Sequence, residues 1–285
     1  MMSALRLLSA LAVATLVAAA PAVAQAGPQD ENYVRMANYR TPGLPVVHLF
    51  GDSIMRGYAL RKFPDQYSPE EVESEILWPL RSPASMLKFI AEDDYWAGYA
   101  GGTGLPYTTD PKGNTVYARV DNGQVFDDDF IVISDAGEHN NNPAEYYLML
   151  RSLRTLLCAY DVDVLYVNTY DDIAPGALAI ENEDQYRWSV PIDGVTMNST
   201  FEKAANEEIA DCKADAHLID IVPDMIALKE RGLSPIQPDG IHPNITGQWL
   251  IAFKIDSKVR EIMEARAGAG AGDEILAGLE TSAEH

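Results

Sequence analysis

Five short apolar stretches alternate with segments of helical spacing, and no other feature of this chain restricts its fold as much. They fall at residues 46–50, 95–100, 130–134, 162–168 and 216–222. Residues 69–91, 143–160 and 200–213 carry helical patterns between them, the first interrupted near Pro83, and residues 243–265 close the series as a last helix. Strands joined through helices pair in parallel, and both faces of the sheet are then covered. The expected fold is therefore α/β, a three-layer α/β/α sandwich with a mainly parallel central sheet. In the last helix Trp249, Ala252, Phe253, Val259 and Met263 make one apolar stripe, broken by Asp256, and Ile251, Ile255 and Ile262 make a second row, so the buried face should be broad. Asn122-Gly123 between Tyr-Ala-Arg-Val and Gln-Val-Phe predicts a hairpin turn. Residues 172–191 read as a surface excursion.

The two ends are set apart from this pattern. Residues 1–26 hold one positive charge at Arg6, a short apolar core, Pro21, and the small-x-small site Ala24-Gln25-Ala26. That is the layout of a secretory signal peptide, with a mature chain starting near Gly27. The apolar run is shorter than the roughly 20 residues a membrane span needs, and no cysteine stands at the cleavage point for a lipid anchor. The expectation is an exported protein, periplasmic or secreted. Residues 27–45 form an N-terminal extension, 46–266 the folded domain, and 267–285, with its Ala-Gly alternation and acidic end, a flexible tail. A formal net charge of −22 repels nucleic acid and anionic membrane surfaces. Neither is expected as a partner, and the acidity reads as solubility. Cys158 and Cys212 each come late in an expected helix just ahead of a strand. In an exported chain they are either a disulfide or two buried thiols.

In a parallel sheet, ligands collect beyond the carboxyl ends of the strands. Four polar segments should emerge there: Gly51-Asp52-Ser53, Gly101-Gly102-Thr103-Gly104, the stretch 134–141, and Asp239-Gly240-Ile241-His242-Pro243-Asn244. The glycines do not make a nucleotide motif, because neither G-x-G-x-x-G nor the P-loop spacing occurs. The five histidines include no close pair of the sort zinc sites use. No cofactor and no metal are expected, and His48, inside a strand, reads as a satisfied core histidine. Nucleophilic catalysis is left. A serine hydroxyl attacks well only when a histidine takes its proton and an acid orients that histidine. Asp239 and His242 stand three residues apart in one tight loop, where the carboxylate can turn back to Nδ1 and leave Nε2 free.

Gly-Asp-Ser near the start of the domain, together with Asp-x-x-His near its end, resembles the SGNH, or GDSL-type, hydrolase family. The resemblance covers about residues 46–265. It implies an SGNH-hydrolase (flavodoxin-like) architecture with Ser53 as nucleophile, His242 as general base and Asp239 as orienting acid. It also implies an oxyanion hole from the backbone N–H of Ser53 and of Gly101, with Gly102 a rival, and a side-chain donor from the third block. The family's third block is Gly-x-Asn-Asp, whereas this chain has Gly137-Glu138-His139-Asn140-Asn141. Strict alignment puts His139 at the donor position and a slip of one puts Asn140 there. Asn140 is preferred, because an amide always presents an N–H. Asp52 reads as a structural residue of the corner. The resemblance further implies cleavage of esters, here short acyl groups, acetyl foremost, on small molecules or carbohydrate. Tyr58, Trp96, Tyr107 and Trp188 suit a sugar-facing cleft and equally suit packing. An acyltransferase on the same triad, or an idle glycan-binding protein on the same fold, are the alternatives.

Overall fold

The computed structural model describes residues 43–51, 53–56, 83–91, 94–101, 115–134, 143–168, 196–233, 235–236 and 243–283. Five strands, β1 (Val46–Gly51), β2 (Trp96–Gly101), β3 (Phe130–Ser134), β4 (Asp163–Val167) and β5 (Asp215–Ile219), form one sheet in the order β2-β1-β3-β4-β5. Every neighbouring pair is parallel. The helices are α1 (Ser53–Arg56), α2 (Pro83–Ala91), α3 (Val116–Asp121), α4 (Pro143–Leu157), α5 (Met197–Asn206), α6 (Val222–Glu230) and α7 (Ile245–Ala283).

The sheet is apolar on both faces because its strands are apolar at successive positions. Val47, Leu49, Val132 and Leu165 point to one side, into a buried cluster with Met86 and Leu87 of α2 and Ile251, Ile255 and Val259 of α7. Phe50, Ile131, Ile133 and Tyr166 point to the other, against Leu150 and Leu153 of α4 and Phe201 of α5. Tyr146 of α4 meets Phe201 edge-on at 5.4 Å between centroids. Each such buried side chain contributes about 1.5–3 kcal/mol. The arrangement is the expected three-layer α/β/α sandwich. Among the described residues, no helix is long and apolar enough to cross a membrane.

Polar residues that interrupt these patterns are paired. Asp256, the break in the α7 stripe, accepts from Tyr95 Oη at 2.7 Å and from Arg260 Nε at 2.9 Å, which fastens α7 to the start of β2. Burial, reinforced by that hydrogen bond, pushes the Tyr95 hydroxyl well above its ordinary value, so it stays a donor. His48 is 2% exposed, with Nε2 3.1 Å from Asp129 Oδ2. Asp129 also accepts from the backbone N–H groups of Val46 and Phe126, and so ties the starts of β1 and β3 together. Arg266 Nη2 reaches Asp163 Oδ2 at 2.5 Å, anchoring α7 at the amino edge of the sheet.

Several local expectations are corrected. Asn122-Gly123 ends helix α3 instead of turning a hairpin. Gly123 has φ +64°, its N–H donates to Val120 O, and Gln124 N–H donates to Arg119 O. That is the Schellman helix stop, which needs the same left-handed glycine as a hairpin turn. Helix α5 starts earlier than expected, because Thr196 and Ser199 cap it reciprocally. It also stops earlier, at Asn206, where buried Arg154 takes the carbonyls of Glu207 and Ala214. Helix α6 was not expected at all; only Met225 is buried on it, so its apolar spacing is faint. Phe253 is 53% exposed and stacks on Trp249 instead of entering the core. It lies two positions from both Ile251 and Ile255, about 200° round the helix from either. Beyond Arg266, α7 continues to Ala283; Ala, Glu and Leu in this stretch favour helix, although each glycine costs about 1 kcal/mol.

Cys158 and Cys212 are joined in a disulfide. With α5 ending at Asn206, Cys212 stands in the turn leading into β5, and Lys213 N–H donates to Cys158 O beside it. The bond therefore lies at the amino edge of the sheet and closes 54 residues of chain. Reduction is expected to lower unfolding stability by about 2–4 kcal/mol through the freed loop. Urea unfolding with and without dithiothreitol checks this, and an unchanged midpoint would show that the junction holds without the bond.

Candidate active site

Strand β1 runs between β2 and β3, and the chain leaves it first to one side and then to the other. The carboxyl end of β1 is therefore the point where strand order reverses, the usual ligand crevice of such a sheet. Register fixes what gathers there. Gly51 pairs with Ser134, the last residue of β3, and Phe50 pairs with Gly101, the last residue of β2. Leu49 pairs with Tyr99, so Ala100 is an extra residue, a bulge at the end of β2 beside the crevice.

The corner after β1 explains its glycine. A Cβ on Gly51 would overlap the Ser134 carbonyl oxygen and crowd the Met55 side chain. Only glycine lets β1 lie this close to β3 while α1 folds back over the strand end. Ile54 and Met55 of α1 are buried in the cluster shared with α2 and α7, which anchors the short helix. Ser53 is its first residue, two positions past the end of β1. The turn is thus held by Gly51, Ile54 and Met55.

Of the residues the sequence singles out, Ser53 and Gly101 are brought to the same edge of the sheet, after β1 and at the end of β2. Asp52, Gly102, His139, Asn140, Asp239 and His242 lie outside the described residues, as do Tyr58, Tyr107 and Trp188. The flanks of the Asp239–His242 segment are described. Ile236 and Pro243 form an antiparallel bridge across its base. Asn244 N–H donates to Pro235 O at 2.9 Å, and Asn244 Oδ1 accepts from Gly247 N at 3.1 Å, which starts α7. A Cβ on Gly247 would overlap the Pro235 carbonyl oxygen, so the first turn of α7 rests directly on the incoming chain. Ile236 is buried in the same cluster as Ile54 and Met55.

Two polar residues on this edge were not singled out from the sequence. Asn168, directly after β4, donates from Nδ2 to Asp220 Oδ1 at 2.7 Å and accepts from Ile221 N–H at 2.9 Å. Asp220, directly after β5, also accepts from Val222 N–H at 3.0 Å, at the start of α6. The pair closes the β4–β5 side of the edge, away from Ser53. Each directly follows an apolar strand, the same position that drew attention to Gly-Asp-Ser. Among the described residues, no three His, Cys, Asp or Glu side chains gather closely enough to hold a metal ion.

No protein-family model matches the chain, and no curated protein matches it. Solved structures do. One, described as a platelet activating factor from Streptococcus pneumonia, is 11% identical, with a TM-score of 0.40 over 81% of this chain and 92% of that one. Another, an alpha/beta hydrolase enzyme from the metagenome of Lake Arreo, Spain, is 17% identical, with a TM-score of 0.42 over 76% of this chain and 95% of that one.

Proposed function

We propose that this chain is an exported serine esterase that removes short acyl groups, acetyl foremost, from carbohydrate or small alcohols. Ser53 Oγ attacks the ester carbonyl carbon while His242 Nε2 takes its proton, and the carbonyl oxygen becomes an oxyanion. The N–H groups of Ser53 and Gly101 (Gly102 the rival) and the Asn140 amide (His139 the rival) hold that charge. Collapse breaks the bond to the alcohol, which leaves with the proton from His242. Water then attacks the acyl-enzyme by the same route, and the carboxylic acid departs. Asp239 holds the imidazole with Nε2 facing the serine and steadies its charge. No cofactor takes part.

The observation that carries this reading is the position of Ser53. It follows a strand whose end is in register with Gly101 and Ser134, at the reversal point of a parallel sheet. The residues that flank the Asp-x-x-His segment in the chain, Ile236 and Pro243, are bridged next to the start of α7, and this supports it. The Cys158–Cys212 disulfide supports export, since such bonds persist in oxidising compartments.

The test is hydrolysis of 4-nitrophenyl esters of rising chain length, followed by acetylated oligosaccharide with and without a free sugar acceptor. Turnover greatest on acetate, with free acetate as product in both cases, is the expected result. Acyl transfer to the sugar in place of acetate release would make the chain an acyltransferase on the same triad. Sugar binding without any turnover would overturn the catalytic reading.

A further inference from the structure

The carboxyl end of β3 carries a hydroxyl that the fold leaves unused. Ser134 is the last residue of that strand and is only 8% exposed. Every other buried polar side chain among the described residues takes part in at least one hydrogen bond, as His48 does with Asp129 and Asn168 with Asp220. Ser134 makes no side-chain hydrogen bond among those residues. A buried hydroxyl without a partner opposes folding, and strands covered on both faces ordinarily carry apolar side chains. Alanine would pack there without that cost.

The place of this hydroxyl is set by the strand and not by a loop. Ser134 pairs with Gly51, and a Cβ on Gly51 would overlap the Ser134 carbonyl oxygen, so the two backbones lie in close contact. Strand alternation puts its side chain on the same face as Val132, the face against which Ile54 and Met55 of α1 are buried. Neighbouring strands lie about 4.8 Å apart, and each residue advances the chain by at most about 3.8 Å. The Cα atoms of Ser53 and Ser134 are therefore within about 12 Å of each other. A monosaccharide ester bridges such a gap.

We propose that Ser134 is a substrate-contacting residue whose hydroxyl pairs with a hydroxyl of the alcohol part of the ester, an inference that rests on the Ser53 reading above. An acetyl group offers only its carbonyl oxygen, which the oxyanion donors hold, so the partner belongs to the alcohol. A sugar hydroxyl both donates and accepts, as the serine hydroxyl does. An acetylated sugar satisfies the buried group. An acetate of a plain cyclic alcohol displaces water from it and returns nothing, so it is discriminated against.

Two acetates of matched ring size test it, the best isomer of mono-acetylated methyl glucoside and cyclohexyl acetate, with released acetate as the readout. In the wild-type chain kcat/KM should favour the sugar ester. Ser134→Ala should lower the ratio of the two kcat/KM values about 3- to 10-fold. Its Tm should be unchanged or raised, because an unpaired hydroxyl is gone. An unchanged ratio overturns the inference: with both rates as before, water serves the hydroxyl, and with both rates lowered, the serine has a packing role. A wild-type preference for cyclohexyl acetate overturns it too. So does a Tm lowered by several degrees, since the hydroxyl then has a partner in the fold. A wild-type chain that hydrolyses neither ester, or full activity in Ser53→Ala, overturns the esterase reading and the inference with it.

Discussion

Ser53→Ala is expected to reduce kcat on an acetyl ester by about 10⁴- to 10⁶-fold, the loss typical when a nucleophile is removed from a working triad. Stability should change by no more than about 1 kcal/mol. The reason for that separation lies in the corner itself. Gly51 allows the approach to Ser134, and Ile54 and Met55 anchor α1 in the core, so the turn survives without the hydroxyl. A fluorophosphonate should add its mass to Ser53 in the wild-type chain and to no residue of the variant. If activity disappears on labelling a different serine, the nucleophile is wrongly assigned. If Ser53→Ala instead unfolds the chain, the serine is a structural part of the corner, and the argument from its position loses its force.

How far the molecule could be read in advance depends on whether a feature is local. Strands β1, β3 and β4 were legible because a parallel strand buried on both faces writes itself as an unbroken apolar run, and Val-Val-His-Leu-Phe and Phe-Ile-Val-Ile-Ser are such runs. Even their polar member was legible, since His48 inside a run had to be satisfied somewhere. Its partner Asp129 was not, because 81 residues separate them. Asn122-Gly123 misled because a left-handed glycine serves a helix stop and a hairpin equally well, and only the neighbouring carbonyls decide. Asp256 looked like a flaw in a stripe until Tyr95, 161 residues away, appeared as its donor. The site shows the same division. The Gly-Asp-Ser pattern was visible, but the cause of its glycine, the Ser134 carbonyl on the next strand, is a tertiary fact. The bulge at Ala100 left no periodic trace either.

The acid–base half of the triad makes the second large prediction. Only a neutral imidazole can accept the serine proton, so kcat/KM should rise with pH through the range where an ordinary imidazole deprotonates, near about 6.5. His242→Ala removes the acceptor, and its loss should approach that of Ser53→Ala, with the pH-dependent rise abolished. Asp239→Asn acts differently. The carboxylate favours the imidazolium, so replacing it with an amide should move the rise toward lower pH. The plateau should also fall, by about 10²- to 10⁴-fold, because the ring is no longer held in the working tautomer. The flanks of this segment argue that these variants will fold. The Ile236–Pro243 bridge, the Asn244 cap and the close seat of Gly247 on Pro235 hold the base of the loop without either side chain. Measuring kcat/KM from pH 5 to 9 for the three proteins separates the roles. A rise that persists unchanged in His242→Ala would place the general base elsewhere, and full turnover in Asp239→Asn would mean that another residue orients the histidine.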